Sequence, residues 1–309
     1  METEHSSWIQ NLQQNQFNGT NNVRINYAVM LQPSKSPAFI LCNGRIESYL
    51  KYQELASELY QQGYSVYLID HRGQGLSERL TIDTHKGHVV DFNDYIKDLA
   101  TFIKLVVTPN GHQKHLLFGH SMGGTIATRY IQTCQHNIDK LILGNPMLGI
   151  VLPLPVSVMS QLVKTIEYYA QKFSSQPSYV LGGKSYREPP FDKNSLTQSA
   201  ERYQQFRAIY QQYPEVQLGA PTNQWLLQGL LATSQCIEDA AKITIPTLLL
   251  QGGADRVVKN SDQDKFAANM TSDLIEVCRI AGARHELFFE LDRYRQQALT
   301  ALLDFAGRD

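Results

Sequence analysis

Short apolar segments alternate with amphipathic segments along most of the chain. Continuous apolar runs such as "AFILC" (38–42), "SVYLI" (65–69) and "KLILG" (140–144) are typical of strands that are covered on both faces of a sheet. Between them, segments such as "KYQELASELYQQG" (51–63) repeat apolar residues at helical spacing. This alternation predicts an α/β fold with a mostly parallel sheet and helices on both faces.

The alternation stops between about Met147 and Ala232. This stretch has no strand-like run, yet it holds 11 of the 30 aromatic residues. The segment 156–173 has an apolar helical face, and the segment 195–213 places several aromatic residues on one side. Helices inserted after a central strand are typical of a lid over a site at the carboxyl ends of the strands. The alternative is that both apolar faces pack on the sheet as core.

These patterns divide the chain into three parts. We expect residues 1–146 and 233–309 to form the two parts of an α/β core, and residues 147–232 to form a helical cap between them. The cap has seven Lys and Arg against five Asp and Glu, whereas the remainder has 21 against 24. A cap of net charge +2 is compatible with an anionic lipid surface, although a solvated face would show the same balance.

Composition excludes several other classes of protein. The 309 residues are 42% hydrophobic, which is enough for a large core, and the net charge of −1 lacks the basic excess of a nucleic-acid-binding protein. No apolar run reaches the length of a membrane-spanning helix, and the N-terminal segment lacks the pattern of a secretory signal. The four cysteines are far apart and form no CxxC pair, which favours reduced thiols in a cytoplasmic protein.

The segment "LLFGHSMGGTIA" (116–127) contains a candidate nucleophile. Apolar residues lead into a G-x-S-x-G sequence centred on Ser121, and a helical pattern follows it. A serine at such a strand–turn–helix junction has an exposed hydroxyl, because the flanking glycines leave room for a strained turn. The alternative is that Ser121 is only a small residue in a glycine-rich turn.

A serine nucleophile needs a histidine base oriented by a carboxylate. His285 in "AGARHELFF" follows one predicted strand, and Asp255 in "LLLQGGADRVV" follows another. All three residues therefore lie at carboxyl ends of strands, in the chain order Ser, Asp, His of the α/β-hydrolase fold. Taken separately, Asp255 could cap a helix and His285 could be a surface loop residue.

The acyl transition state also needs hydrogen-bond donors for its oxyanion. The backbone N–H of Met122 is one candidate, and the N–H of Arg45, in the loop after "FILC", is the second. The alternative is that the Asn43-Gly44 pair before Arg45 is only a turn. His85 and His88 in "THKGH" have no third ligand at a suitable spacing, so we expect neither a metal nor a cofactor.

Several phrases together resemble the lysophospholipase and monoacylglycerol-lipase branch of the α/β-hydrolases. They are "NGRIESYLKY", "DHRGQGLS", "GHSMGG", "QGGADRVV" and "AGARHELFFE", with the cap phrases "NSLTQSAERY" and "GAPTNQW". The similarity runs from about Phe39 to the C-terminus and is closest to bacterial lysophospholipases associated with the inner membrane. One departure is Asn43-Gly44, where many relatives have His-Gly.

The resemblance implies specific roles and a reaction. Ser121 would be the nucleophile, Asp255 the orienting acid and His285 the base, with Arg45 and Met122 as the oxyanion donors. The expected reaction is cleavage of the fatty-acyl ester of a lysophospholipid through an acyl-enzyme, with peripheral contact to the inner membrane. The alternatives are a monoacylglycerol lipase or general carboxylesterase with the same triad, a peptidase of the same fold, and a non-catalytic binding protein.

Overall fold

A single eight-stranded sheet forms the centre of the protein. The structure, a computed structural model, describes residues 8–33, 35–173 and 176–308. The strand order is β1-β2-β4-β3-β5-β6-β7-β8, and all neighbouring pairs from β4 to β8 are parallel, whereas β1–β2 and β2–β4 are antiparallel. The strands are β1 Gln13–Asn18, β2 Arg24–Met30, β3 Ala38–Cys42, β4 Ser65–Ile69, β5 His115–His120, β6 Lys140–Gly144, β7 Thr247–Gly252 and β8 Ile275–Ile280.

Helices cover both faces of this sheet, and two hydrophobic clusters fill the two interfaces. The α-helices with assigned bounds are α1 Gln53–Gln61, α2 Asn93–Phe102, α3 Met122–Thr133, α4 Val156–Phe173, α5 Ala200–Gln212, α6 Asn223–Glu238, α7 Asn260–Asn269 and α8 Asp292–Gly307. Residues of α2, α3 and α7 belong to one cluster, and residues of α1 and α8 belong to the other. The predicted mostly parallel sheet with helices on both faces is therefore confirmed.

Three central strands are fully buried, as their continuous apolar sequences predict. Every residue of β3, β4 and β6 is buried, as the continuous apolar runs require for strands covered on both faces.

Strands β1 and β2 form an N-terminal hairpin, and a short 3-10 helix at Thr20–Asn22 lies between them. The connection between these strands, residues 19–23, is therefore longer than a two-residue turn.

Helices α4, α5 and α6 form the insertion between β6 and β7. Helix α4 buries Val163 but leaves several large apolar side chains exposed, whereas α5 buries Tyr203, Phe206, Arg207 and Tyr210. One predicted apolar face thus remains largely on the surface and the other contributes to the core. None of the helices in the described residues combines the length and the apolar character that crossing a membrane requires.

Candidate active site

Ser121 lies on a sharp turn between β5 and α3. Its backbone has φ 51° and ψ −117°, a conformation that non-glycine residues rarely adopt. The two flanking glycines permit the turn: a Cβ atom at Gly119 would lie 2.5 Å from the Gly123 carbonyl oxygen, and one at Gly123 would lie 2.1 Å from the Cys42 carbonyl oxygen. The strained turn therefore depends on close backbone packing against β3.

His285 and Asp255 lie in the loops after β8 and β7 and are hydrogen-bonded to each other. The His285 Nδ1 and Asp255 Oδ2 atoms are 2.7 Å apart, and both side chains are almost fully buried. Burial opposes ionisation of Asp255, but His285 and the backbone N–H groups of Val257 and Val258 outweigh it, so the pKa of Asp255 is lowered. This arrangement holds an ionised carboxylate against one ring nitrogen of His285.

Asn145, which follows β6, connects the two loops that carry Asp255 and His285. Its Nδ2 donates to the carbonyl oxygens of Arg284 at 3.1 Å and His285 at 2.7 Å, and its Oδ1 accepts from the Gly252 N–H at 2.6 Å. Asn145 is fully buried and has φ 42°. No motif in the sequence pointed to it; a polar residue directly after a central strand was the available signal.

The two expected oxyanion donors lie on separate elements. Met122 is the first residue of α3, so its backbone N–H has no acceptor within the helix. Arg45 lies in the loop after β3, where Gln74 Nε2 donates to the Gly44 carbonyl at 2.7 Å and Asn43 Nδ2 donates to Asp70 at 2.8 Å. The side-chain amides of Asn43 and Gln74 therefore hold this loop, which begins with Asn43-Gly44 and not with His-Gly.

A buried charged cluster borders His285. The Lys51 ammonium pairs with Glu47 and, at 2.7 Å, with Glu286, and His120 Nε2 lies 3.7 Å and 3.6 Å from those two carboxylates. Burial raises the pKa of Glu286 to about 7, although Lys51 opposes the rise. Burial also disfavours ionisation of Glu47, but Lys51 and His120 outweigh it and lower the pKa of Glu47 to about 2. Sequence reasoning missed this cluster, because its members come from separate segments of the chain.

Glu47, His120 and Glu286 offer ligand atoms that lie within 4.8 Å of one another, as a metal site would require. The Lys51 ammonium already bridges the two carboxylates, so the cluster has its own cation. His88 Nδ1 instead lies 2.9 Å from the Thr222 hydroxyl. Among the described residues, neither His85 nor His88 joins a group of three candidate ligands.

A cavity of about 550 Å³ contains Ser121 and His285 in its wall. Arg45 and the charged cluster lie in the same wall, whereas Asp255 lies behind His285. Apolar side chains supply much of the remaining surface: Ile46, Met147, Ile150, Leu152, Val180, Leu196, Phe206, Leu218, Trp225, Leu226, Val257 and Val258. A long apolar group and a polar reacting centre can therefore occupy one continuous space.

Comparisons with known proteins identify the family of this chain. A family model described as serine aminopeptidase, S33 (Hydrolase_4) matches residues 33–292. Lysophospholipase L2 of Escherichia coli K12 is 38% identical over 95% of this chain and 87% of that protein. Probable lysophospholipase L2 of Haemophilus influenzae is 34% identical over 94% of this chain and 90% of that protein.

The fold is also found among solved structures. A monoglyceride lipase from Saccharomyces cerevisiae superposes with a TM-score of 0.69 at 20% identity, covering 96% of this chain and 94% of that chain. At this identity the likeness shows a shared fold.

Proposed function

Because the chain belongs to the Hydrolase_4 family of α/β-hydrolases, we propose that it is a serine hydrolase that cleaves the fatty-acyl ester of lysophospholipids. The observation that supports this most directly is the cavity, where Ser121 on its strained turn and His285, hydrogen-bonded to Asp255, share one largely apolar space. We assign Ser121 as the nucleophile, His285 as the general base and Asp255 as the residue that orients it.

In the proposed reaction, His285 removes the hydroxyl proton as Ser121 Oγ attacks the ester carbonyl. The backbone N–H groups of Met122 and Arg45 donate to the resulting oxyanion. Protonated His285 then gives its proton to the departing glycerol oxygen, and the ester C–O bond breaks to leave an acyl-enzyme. Water, deprotonated by His285, then attacks the acyl-enzyme carbonyl; the bond to Ser121 Oγ breaks, His285 returns the proton to Ser121, and the fatty acid is released.

We assign residues 147–232 as a cap that holds the acyl chain over Ser121. Val180, Phe206 and Trp225 belong to this segment and line the cavity. Each methylene group that such a surface removes from water contributes about 0.8 kcal/mol to binding. The chain-length preference of the enzyme would then follow from the apolar length of this cavity.

The alternative is a neutral monoacylglycerol lipase or general carboxylesterase, because the same triad serves all three activities. A peptidase would need carboxylates that receive the amino terminus of the substrate. Among the described residues, no carboxylate of the 147–232 segment lines the cavity, and Glu47 and Glu286 are already paired with Lys51. This arrangement favours a lipid ester over a peptide.

Fatty-acid release by the purified protein tests the proposal. Lysophosphatidylethanolamine and a monoacylglycerol with the same acyl chain would be compared, with Ser121→Ala as the blank. Preference for the lysophospholipid supports the proposal, whereas equal or better cleavage of the neutral lipid moves the assignment to a monoacylglycerol lipase. Fatty-acid release that persists in the Ser121→Ala variant would contradict the assignment of Ser121 as the nucleophile.

We also propose that the protein is cytoplasmic and binds the inner membrane peripherally through α4. Val158, Leu162, Tyr168, Tyr169 and Phe173 are large apolar residues that α4 leaves exposed. Such a face is suited to the boundary between lipid headgroups and acyl chains.

Sedimentation with anionic liposomes tests this membrane contact. Leu162→Asp should weaken it, because the substitution puts a negative charge on the apolar face. Leu105→Asp, at an exposed leucine outside the cap, is the matched control. Equal sedimentation of both variants and of the unsubstituted protein would contradict the contact through α4.

A further inference from the structure

Arg207 on α5 is a buried guanidinium that lines the same cavity as Ser121 and His285. It is 7% exposed and packs against the rings of Tyr203, Phe206 and Tyr210 at 4.8, 5.0 and 5.7 Å. Its Nη1 donates to the Tyr186 hydroxyl at 3.2 Å, and its Nε is buried without a hydrogen-bond partner. Burial opposes the charge, but the tyrosine hydroxyl groups outweigh it and raise the pKa of Arg207.

Neighbouring cations have carboxylate partners that Arg207 does not have. Lys51 lies 4.8 Å from the centre of the same Phe206 ring, and it is neutralised by Glu47 and Glu286. Arg202, on the same helix, pairs with Glu54 and Asp292. None of the ion pairs formed within the described ranges includes Arg207, although it is only 7% exposed, against 5% for Lys51.

A buried charge is costly unless an opposite charge or hydrogen bonds compensate it. The free Nε and the missing carboxylate therefore indicate a site that an anionic ligand completes. Arg45 adds a second guanidinium to the cavity wall, but its Nη1 is bound to the Gly219 carbonyl at 2.9 Å and its guanidinium lies over the Trp225 ring. Arg187 and Lys193 also line the cavity but are exposed to solvent, whereas Arg207 combines burial with an Nε that has no hydrogen-bond partner.

We propose that Arg207 binds the phosphodiester of the lysophospholipid headgroup and thereby selects it over a neutral monoacylglycerol. This inference rests on the proposed function and names the residue that distinguishes its two candidate substrates. A guanidinium suits this role because it is always charged and its planar N–H groups match phosphate oxygens. The other anion of the reaction is the carboxylate of the released fatty acid, and the test must separate the two.

Kinetics with matched substrates provide the first test. For Arg207→Gln, kcat/KM for lysophosphatidylethanolamine should fall about 10- to 100-fold, the range for losing a hydrogen bond to a charged group, and mainly through a higher KM. The kcat/KM for a monoacylglycerol of the same chain length should stay within about 3-fold, since the interaction lost involves only the phosphate. Arg207→Lys should recover part of the loss, because it keeps the charge without the planar donors.

Controls separate recognition from folding. Lys104→Gln removes an exposed positive charge outside both the cavity and the 147–232 segment, and should change neither activity. The neutral substrate reports whether Arg207→Gln still folds into an active enzyme. An equal fall for both substrates would mean that Arg207 only supports the cap, and would overturn the proposal.

Binding to catalytically inactive protein tests the site without turnover. Hexadecylphosphocholine and palmitate, each below its aggregation concentration, would be titrated against the Ser121→Ala protein and against the double variant that combines Ser121→Ala with Arg207→Gln. Weaker binding of the alkyl phosphodiester alone to the double variant supports the proposal, whereas weaker binding of palmitate alone would assign Arg207 to the product carboxylate and overturn it. If the unsubstituted protein releases no fatty acid from either substrate, the proposed function fails, yet this titration still decides whether Arg207 binds a phosphodiester.

Discussion

Replacing Asn145 by alanine should loosen the contact between the loops that carry Asp255 and His285. The Asn145 side chain accepts from the Gly252 N–H and donates to the carbonyl oxygens of Arg284 and His285. Gly252 is the last residue of β7, whereas Arg284 and His285 lie in the loop after β8. Without the amide, the loops would still be joined by the Asp255–His285 hydrogen bond and by the backbone hydrogen bond from the Ala254 N–H to the Ala283 carbonyl at 2.8 Å, but the carbonyl groups of Arg284 and His285 would lose the donor that holds them.

The structure sets the size of the effect. Asn145 is fully buried, so its removal leaves one N–H and two C=O groups without this partner in a place that water reaches poorly. A buried group left unsatisfied costs about 1–3 kcal/mol, and the positive φ of 42° is less favourable for alanine. We expect the free energy of unfolding to fall by about 3–5 kcal/mol. A shift of His285 by about 1 Å would lower kcat about 100-fold.

Denaturant unfolding and fatty-acid release would measure the two effects. Asn145→Asp keeps an acceptor for the Gly252 N–H but turns a buried carboxylate oxygen toward the carbonyl oxygens of Arg284 and His285, so it should be at least as destabilising as alanine and should also lose activity. Asn269→Ala, which removes an exposed amide that donates to a single carbonyl, is the matched control and should cost less than about 1 kcal/mol. A loss below about 1 kcal/mol with unchanged kcat for Asn145→Ala would refute the reasoning.

Three further predictions concern residues around the same cavity. Asp255→Asn should lower kcat about 10⁴-fold, because an amide N–H facing His285 Nδ1 favours the tautomer that cannot accept the serine proton; unchanged ester hydrolysis would contradict it. Gly123→Ala should lower the melting temperature, since its Cβ would lie 2.1 Å from a backbone oxygen of β3, whereas Gly229→Ala, with its nearest neighbour at 3.6 Å, should not. The pKa of Glu47 is lowered to about 2, so its contribution to stability is complete above about pH 4.5 and is lost as the pH falls toward 2. The difference in unfolding free energy between the unsubstituted protein and Glu47→Gln should therefore shrink from pH 5 to pH 3, and a constant difference would argue against an ionised Glu47.

Local patterns of apolar and polar residues were sufficient to predict the α/β fold. The runs 38–42, 65–69 and 140–144 are strands because continuous apolar sequence is stable only where both faces are covered, and the structure buries each of them completely. The resemblance to α/β-hydrolases is likewise confirmed by the family match over residues 33–292. The strained turn at Ser121 was also a local inference, because the glycines that permit it lie within two residues.

Other parts of the site depend on contacts between distant segments. Lys51 pairs with Glu286 from the far end of the chain, and Arg207 reaches the cavity only because α5 packs its aromatic face inward. Periodicity marked that aromatic face but could not show which charged residue would be buried with it. The sequence also did not show that α4 is exposed, because an apolar helical face has the same periodicity whether it packs against a core or faces solvent.

The sequence by itself determined which segments become strands and helices, their order, and which residues stand at the carboxyl ends of β5, β7 and β8. These properties follow from side-chain periodicity and backbone sterics, which act over a few residues. Tertiary structure alone decided that His285 lies 2.7 Å from Asp255 and that Asn145 joins their loops. It also decided that Lys51 has carboxylate partners, whereas Arg207, among the described residues, has none. Distances, burial and charge compensation depend on how separate elements pack, and no local pattern encodes that packing.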